Sequence, residues 1–259
     1  MISPEFAHPP PAKVSEDLKI SDLRAALAAG WADFLAYPQF GLFFASVFVI
    51  SGLALGYVLI AYGQLTWLIP AIAGFPILAP FTAVGLYEVS RRREAGLPMS
   101  WVGILGALRG RGDEQILSMG VIVFVAFGFW VIVAHLVFAV FLAEAGAGSE
   151  SLAFLLTELG IAMLLVGSAI GAVMAYAFYS ITVISLPMLV DRNVDFLTAI
   201  IASLKAVRTN SSVLFAWAAF IAVALFAAML PILLGIFIAL PVLGHATWHL
   251  YRRTVENAG

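Results

Sequence analysis

Apolar residues run along this chain in six long stretches separated by short polar punctuation. They extend from about Phe40 to Tyr62, Trp67 to Ser90, Ile116 to Ala143, within Leu159 to Val190, Val213 to Met229, and Leu233 to Tyr251. About 20 helical residues cross the roughly 30 Å of hydrocarbon in a bilayer, so each stretch predicts one membrane span. The fourth is longer than a straight span requires, and the break between the last two rests on Pro231 and Gly235. Three shorter segments instead repeat apolar residues with helical period. They are Leu23, Ala26, Leu27, Gly30, Trp31 and Phe34; Trp101, Ile104, Leu105 and Leu108; and Phe196, Ala199, Ile200, Ser203, Leu204 and Val207. Each predicts an amphipathic helix that lies in the headgroup plane or packs under the bundle. Ser100 is positioned to cap the second.

The order surface helix, span, span is stated three times, predicting an internal triplication with repeats at about 20–93, 98–192 and 194–253. The expected fold is therefore an all-α polytopic membrane protein of six transmembrane helices, a single membrane domain over 20–254. The agreement is closest between PAIAGFPILAPFTAVGLYEVSRR and PILLGIFIALPVLGHATWHLYRR. In both, a glycine follows the first proline by four residues, a second proline by ten, and an Arg pair begins eleven later. The middle unit departs from that spacing at Pro187. Pro76, Pro80, Pro187 and Pro241 remove backbone donors inside spans, which predicts kinked helices packed in the bundle. Gly52 with Gly56, and Gly167 with Gly171, are GxxxG pairs suited to close helix contact within the chain or between copies.

Charge orients the bundle. The basic residues fall into four groups: Lys13, Lys19 and Arg24; Arg91, Arg92, Arg93, Arg109 and Arg111; Arg192, Lys205 and Arg208; Arg252 and Arg253. Six crossings put all four groups on one side, so both termini are expected in the cytoplasm. Residues 1–19, with Pro9-Pro10-Pro11, read as a mobile cytoplasmic tail, and 255–259 as a second short one. Arg91, Arg92, Trp101, Trp248, Arg252 and Arg253 are the expected interface anchors, with anionic lipids and other membrane subunits as partners. The basic groups follow a membrane rim, a distribution that does not suit nucleic acid.

Composition removes most chemistry. Of the 259 residues 63% are hydrophobic and 11% charged, at a mean hydropathy of +1.05, which a soluble domain could not bury. The chain has no cysteine, so disulfides, thiolate metal sites and cysteine nucleophiles are excluded. No HExxH, P-loop or dinucleotide fingerprint occurs, and no Ser-His-Asp set is legible in the sequence. Gly103, Gly106 and Gly110 follow no strand. The chain is expected to be no enzyme, with no metal and no cofactor.

Three histidines are the candidates against that expectation. His245 and His249 share a helix face beside Trp248, Tyr251 and the Arg pair, a spacing that suits either a metal or haem or a pair of rim residues that anchor by hydrogen bonding. His135 lies near the outer end of the third span, where a bond to Tyr176 or Tyr179 competes with a functional role. Glu88 before the Arg91–Arg93 cluster, and Asp191 beside Arg192, read as local ion pairs.

GFPILAPFTAVGLYEVSRRREAG, SLPMLVDRNVDFLTAIIASLKAVRTN and LPVLGHATWHLYRR resemble an uncharacterised bacterial integral-membrane family, domain of unknown function 2189, over nearly the whole chain after residue 20. The resemblance implies an inner-membrane home and supplies no catalytic residues. Some members of that family carry a cytochrome c oxidase subunit I-like label, but three histidines are too few for a haem–copper core. The expected function is a non-catalytic accessory or assembly subunit of a larger inner-membrane complex, a respiratory one in line with that label. A small-molecule or lipid transporter is the alternative, suggested by repeated units with proline-broken spans.

Overall fold

Lipid offers a backbone no hydrogen-bond partners, and a chain of this composition answers by forming helices. The computed structural model describes residues 13–63, 65–107, 115–145 and 152–255. In order these form α1 (Ile20–Ala36), α2 (Pro38–Ala61), α3 (Leu65–Gly74), a 3-10 turn (Phe75–Leu78), α4 (Ala79–Thr82), α5 (Val84–Glu94), α6 (Trp101–Gly106) and α7 (Gln115–Ala145). A second 3-10 turn (Leu152–Leu156) precedes α8 (Glu158–Thr182), α9 (Ser185–Asp191), α10 (Phe196–Thr209), α11 (Ser211–Met229) and α12 (Ile236–Thr254). The one β feature among the described residues is an isolated antiparallel bridge, Val14 to Val255.

Four segments are long and apolar enough to cross a membrane: Pro38–Ala61, Gln115–Glu144, Glu158–Asp191 and Ser211–Met229. The second and sixth expected spans take other forms. The second is broken into α3, the 3-10 turn, α4 and α5, with Pro70 inside α3, Pro76 in the turn and Pro80 in α4. Each proline removes a donor from the helical ladder. The sixth becomes α12, with Pro241 inside it and a second half, GHATWHLYRRT, too polar to face lipid. Ahead of α12 the chain turns where expected, through Ile232 at φ 51 and Leu233 at φ 64. Left-handed backbone is unusual for a β-branched residue, and the turn lets Gly235 press within 2.7 Å of the Ala228 Cα, measured from the position of an added Cβ.

The excess length of the fourth stretch is explained by a break between α8 and α9. Ser203 of α10 bridges it: its hydroxyl accepts from the Ile184 N–H at 3.2 Å and donates to the Ser180 carbonyl at 2.8 Å. A polar residue in the buried stripe of α10 therefore satisfies backbone groups that the break exposes.

All three amphipathic segments are helical, though only one face of each is committed. In α1, Leu23, Ala26, Gly30 and Phe34 are buried while Trp31 turns outward. In α6, capped by Ser100 accepting from Gly103 N–H at 3.2 Å, Ile104 is buried while Trp101 and Leu105 are exposed; Leu108 lies outside the described residues. Trp101 packs edge-on to Phe40, with centroids 4.4 Å apart. Burial is concentrated where α1, α5, α9 and α12 meet. Leu86, Ile184, Leu186, Trp248, Leu250 and Tyr251 are there, each 0% exposed. The apolar spans are thinly covered, most of all α8–α9, of whose most apolar window 6% is buried within the chain.

The expected tail boundaries need correction. Val14, Ser15 and Leu18 are buried, Ser15 N–H donates to Thr254 O at 2.8 Å, and Asn210 holds both the Ser15 carbonyl (2.8 Å) and the Leu18 N–H (3.3 Å). The packed structure begins by Val14 and runs through Val255, because these polar backbone groups find partners at the base of the bundle.

Candidate functional site

Helix α1 lies across α12 at very short range. A Cβ built on Gly30 would sit 2.5 Å from Ala246 N and 2.7 Å from Val242 O, so only glycine permits the crossing. That approach carries Asp33, one turn further along, into the bundle at 3% exposure. From α5 come Ser90 and Arg93, three residues apart on one face, and from α12 come His245 and His249, four apart.

These five side chains form one network. The Ser90 hydroxyl donates to Asp33 Oδ2 at 2.5 Å and lies 2.8 Å from His245 Nδ1. His249 Nε2 donates to the same Asp33 oxygen at 2.8 Å, and Arg93 Nη1 donates to Asp33 Oδ1. Ser90 has a single hydroxyl proton. Since it goes to the carboxylate, His245 must be the donor at Nδ1, which leaves His245 Nε2 as a bare acceptor. That nitrogen is buried without a hydrogen-bond partner.

Serine, histidine and aspartate thus come together although no such motif is legible along the chain, but their protons run the wrong way for hydrolysis. A nucleophilic serine gives its proton to histidine, which the carboxylate orients. Here histidine donates to serine and serine to the carboxylate, while Ser90 is 1% exposed and His245 0%. Among the described residues no group of three or more His, Asp or Glu is arranged to hold a metal. The chemistry of the cluster is that of a clamp joining α1, α5 and α12.

Electrostatics favour the clamp closed. Burial raises the Asp33 carboxyl, but hydrogen bonds from His249 and Ser90 and the nearby charge of His249 outweigh it, bringing it from 3.8 down to about 2. Its contribution to stability is therefore complete above pH 3.8 and lost as pH falls toward 2. Acid titration of unfolding should show a steeper loss in that window for the native chain than for Asp33→Asn; parallel curves would mean that the carboxylate is not held as described.

Further pairs surround the clamp. Glu88 accepts from Arg91 Nε at 2.6 Å and Arg92 Nε at 2.7 Å, the local pairing that the spacing suggested, and it is itself buried. Glu94 takes Trp248 Nε1 at 3.1 Å and Arg252 Nε at 3.0 Å. Asp191 lies 3.7 Å from Arg192 Nε, as its position suggested, and also accepts from Tyr251 OH at 2.7 Å and Arg252 Nη1 at 3.2 Å. Arg253 reaches Ser15 and Asp17, both at 3.0 Å.

Several expected roles change. His245 and Trp248 are fully buried within the fold, not headgroup-level anchors, and Arg252 and Arg253 pair with the chain's own acids, Asp191 and the exposed Asp17. Arg91 and Arg92 face Glu88, leaving Trp101 as the exposed aromatic among the expected anchors. His135 stacks on Trp67, with centroids 3.8 Å apart and planes 4° from parallel, and its Nδ1 is buried without a partner, as is Tyr179 OH. Pro187 and Pro241 are buried in α9 and α12. Gly171 meets Trp130, Gly167 touches Val137 at 3.8 Å, and Gly56, the partner of Gly52, faces open space.

Sequence reading missed Asp33, Ser90 and Glu94. Asp33 had a legible signal: it lies three residues after Gly30 and seven after Ala26, on the apolar face of α1. Ser90 had none, because serine inside an apolar stretch is ordinary.

Residues 68–191 match a family model described as a predicted integral membrane protein, domain of unknown function 2189. The match runs from α3 to α9, so the GHATWHLYRR ending and Asp33 lie outside it. No curated protein and no solved structure matches the chain.

Proposed function

We propose, taking the integral-membrane assignment of residues 68–191 as premise, that this chain is a non-catalytic accessory or assembly subunit of a larger bacterial inner-membrane complex. The observation that carries the reading is the contrast between its two parts. The end holding the clamp is packed and internally paired, whereas 6% of the apolar window of α8–α9 is covered by the rest of the chain. A span so bare within its own fold suits partner helices, which associate in lipid through packing and small residues. The open Gly56 on α2 and the weakly contacted Gly167 on α8 are suited to that use.

The same reading has six crossings in three repeats, with both termini cytoplasmic. Its support is that the chain meets itself at one end after each pair of helices: Asp33 with Arg93, Glu94 and Asp191 with Arg252, Ser15 with Asn210. Arg192 and Arg252 both reach Asp191, which they could not do from opposite faces of a membrane. All the described basic groups then share the cytoplasmic side.

A transporter is the second reading, favoured by the proline-broken run α3 to α5, since discontinuous spans line substrate sites in transporters. Purification from native membranes in mild detergent separates the two. Other membrane subunits at fixed stoichiometry are the expected result; a lone protein carrying a reproducible small molecule or lipid between its helices would replace it with the transporter reading.

A further inference from the structure

Most of the arginines at the clamp end are matched by acids. Arg91, Arg92, Arg93, Arg192, Arg252 and Arg253 each have a carboxylate partner. Lys205 and Arg208 have no acid partner among the described residues, although they sit on the same helix, α10, within one turn of each other.

The face of α10 that carries them is built for two kinds of contact. Ala199, Ala202, Ser203 and Ala206 fix the opposite face into the bundle. Outward, Leu197, Ile201 and Leu204 form an exposed apolar stripe at i, i+4 and i+7 that leads to Arg208 at i+11. Ile201, Leu204, Lys205, Arg208 and Thr209 line a shallow cavity of about 520 Å³. An apolar stripe continuous with two unmatched cations asks for a ligand with a hydrocarbon part and an anionic part. Nucleic acid or an acidic peptide would answer the cations and leave the stripe wet.

We propose that α10 carries a binding site for an anionic phospholipid, its phosphodiester held by Lys205, Arg208 and the Thr209 hydroxyl and its acyl chain laid on Ile201 and Leu204. The site requires α10 to lie at the membrane surface, and it stands whether or not the chain is an accessory subunit. Each cation near an anionic membrane surface contributes roughly a fivefold factor, diminished by salt.

Native mass spectrometry of the full chain with added phosphatidylglycerol or phosphatidylcholine tests it. The native protein should retain phosphatidylglycerol preferentially. K205Q/R208Q should lose roughly thirtyfold in that affinity with unchanged helix content and melting temperature, while Lys205→Arg keeps it. Ile201→Ser with Leu204→Ser should weaken phosphatidylglycerol and leave phosphatidylcholine equally poor. Equal retention of both lipids, or unchanged phosphatidylglycerol binding in K205Q/R208Q, would overturn the proposal. So would full displacement by inorganic phosphate at millimolar concentration, which would reveal a site for free anions.

Discussion

Replacing Gly30 with valine is expected to abolish accumulation of the folded protein in the membrane, and even Gly30→Ala should lower its melting temperature markedly. The added Cβ would meet backbone on α12, Ala246 N at 2.5 Å and Val242 O at 2.7 Å, where no rotamer change relieves the clash. Helix α1 would have to lift, and Asp33 would lift with it. Overpacking costs about 1–3 kcal/mol where side chains can give way, and more where backbone must move. Gly56→Ala is the control: nothing lies within 4 Å of its Cβ, so stability should be unchanged. Thermal unfolding in detergent compares them directly, and equal melting temperatures for the two alanine variants would show that α1 does not cross α12 as described.

The second large effect is Asp33→Ala. It leaves Arg93 and His249 without their acceptor and Ser90 without its own, in a site 3% exposed at the carboxylate. Removing one member of a buried ion pair costs about 3–5 kcal/mol when the remaining charge is buried; Arg93 and His249 keep 38% and 25% of their side chains exposed, so the low end of that range is expected. The histidines should then differ in sensitivity. His245→Gln disturbs a fully buried ring bonded to Ser90, whereas His249 keeps a quarter of its side chain exposed, so its loss is partly repaired by water. A rim-anchor role would make both changes mild. If Asp33→Ala and His245→Gln leave the unfolding midpoint within a degree of the native value, the cluster holds nothing together.

The regular features of this fold were legible because lipid imposes them. Helices, the apolar stretches, the three amphipathic stripes and the break around Pro231 all follow from period and length, and the structure has them. The continuity of the second and sixth stretches was not legible. Proline shows where a helix is weakened but not whether it bends or breaks, and Pro76 beside Pro80 breaks the run where Pro241 leaves α12 whole. The site was harder. His245 and His249 were visible as a pair, but their meaning depended on Asp33, more than 200 residues earlier, and on Ser90. Sequence spacing cannot report a meeting of three helices, and it made a rim residue of His245, which belongs to the core. Trp248 misled for the same reason: its neighbours Arg252 and Arg253 look like a headgroup belt until Asp191, Glu94 and Asp17 are brought to meet them.

The central claim is that the chain returns to one face of the membrane after each pair of helices, and the absence of native cysteine makes it open to test. Single cysteines at Leu97, Leu156 and Asn193, all exposed, would be probed in intact cells with a membrane-impermeant maleimide. Six crossings predict labelling at position 156 alone, with 97 and 193 reacting only after the membrane is opened. A chain that crossed only at the four most apolar helical segments would invert the pattern, labelling 97 and 193 from outside and protecting 156, and that result would contradict the account.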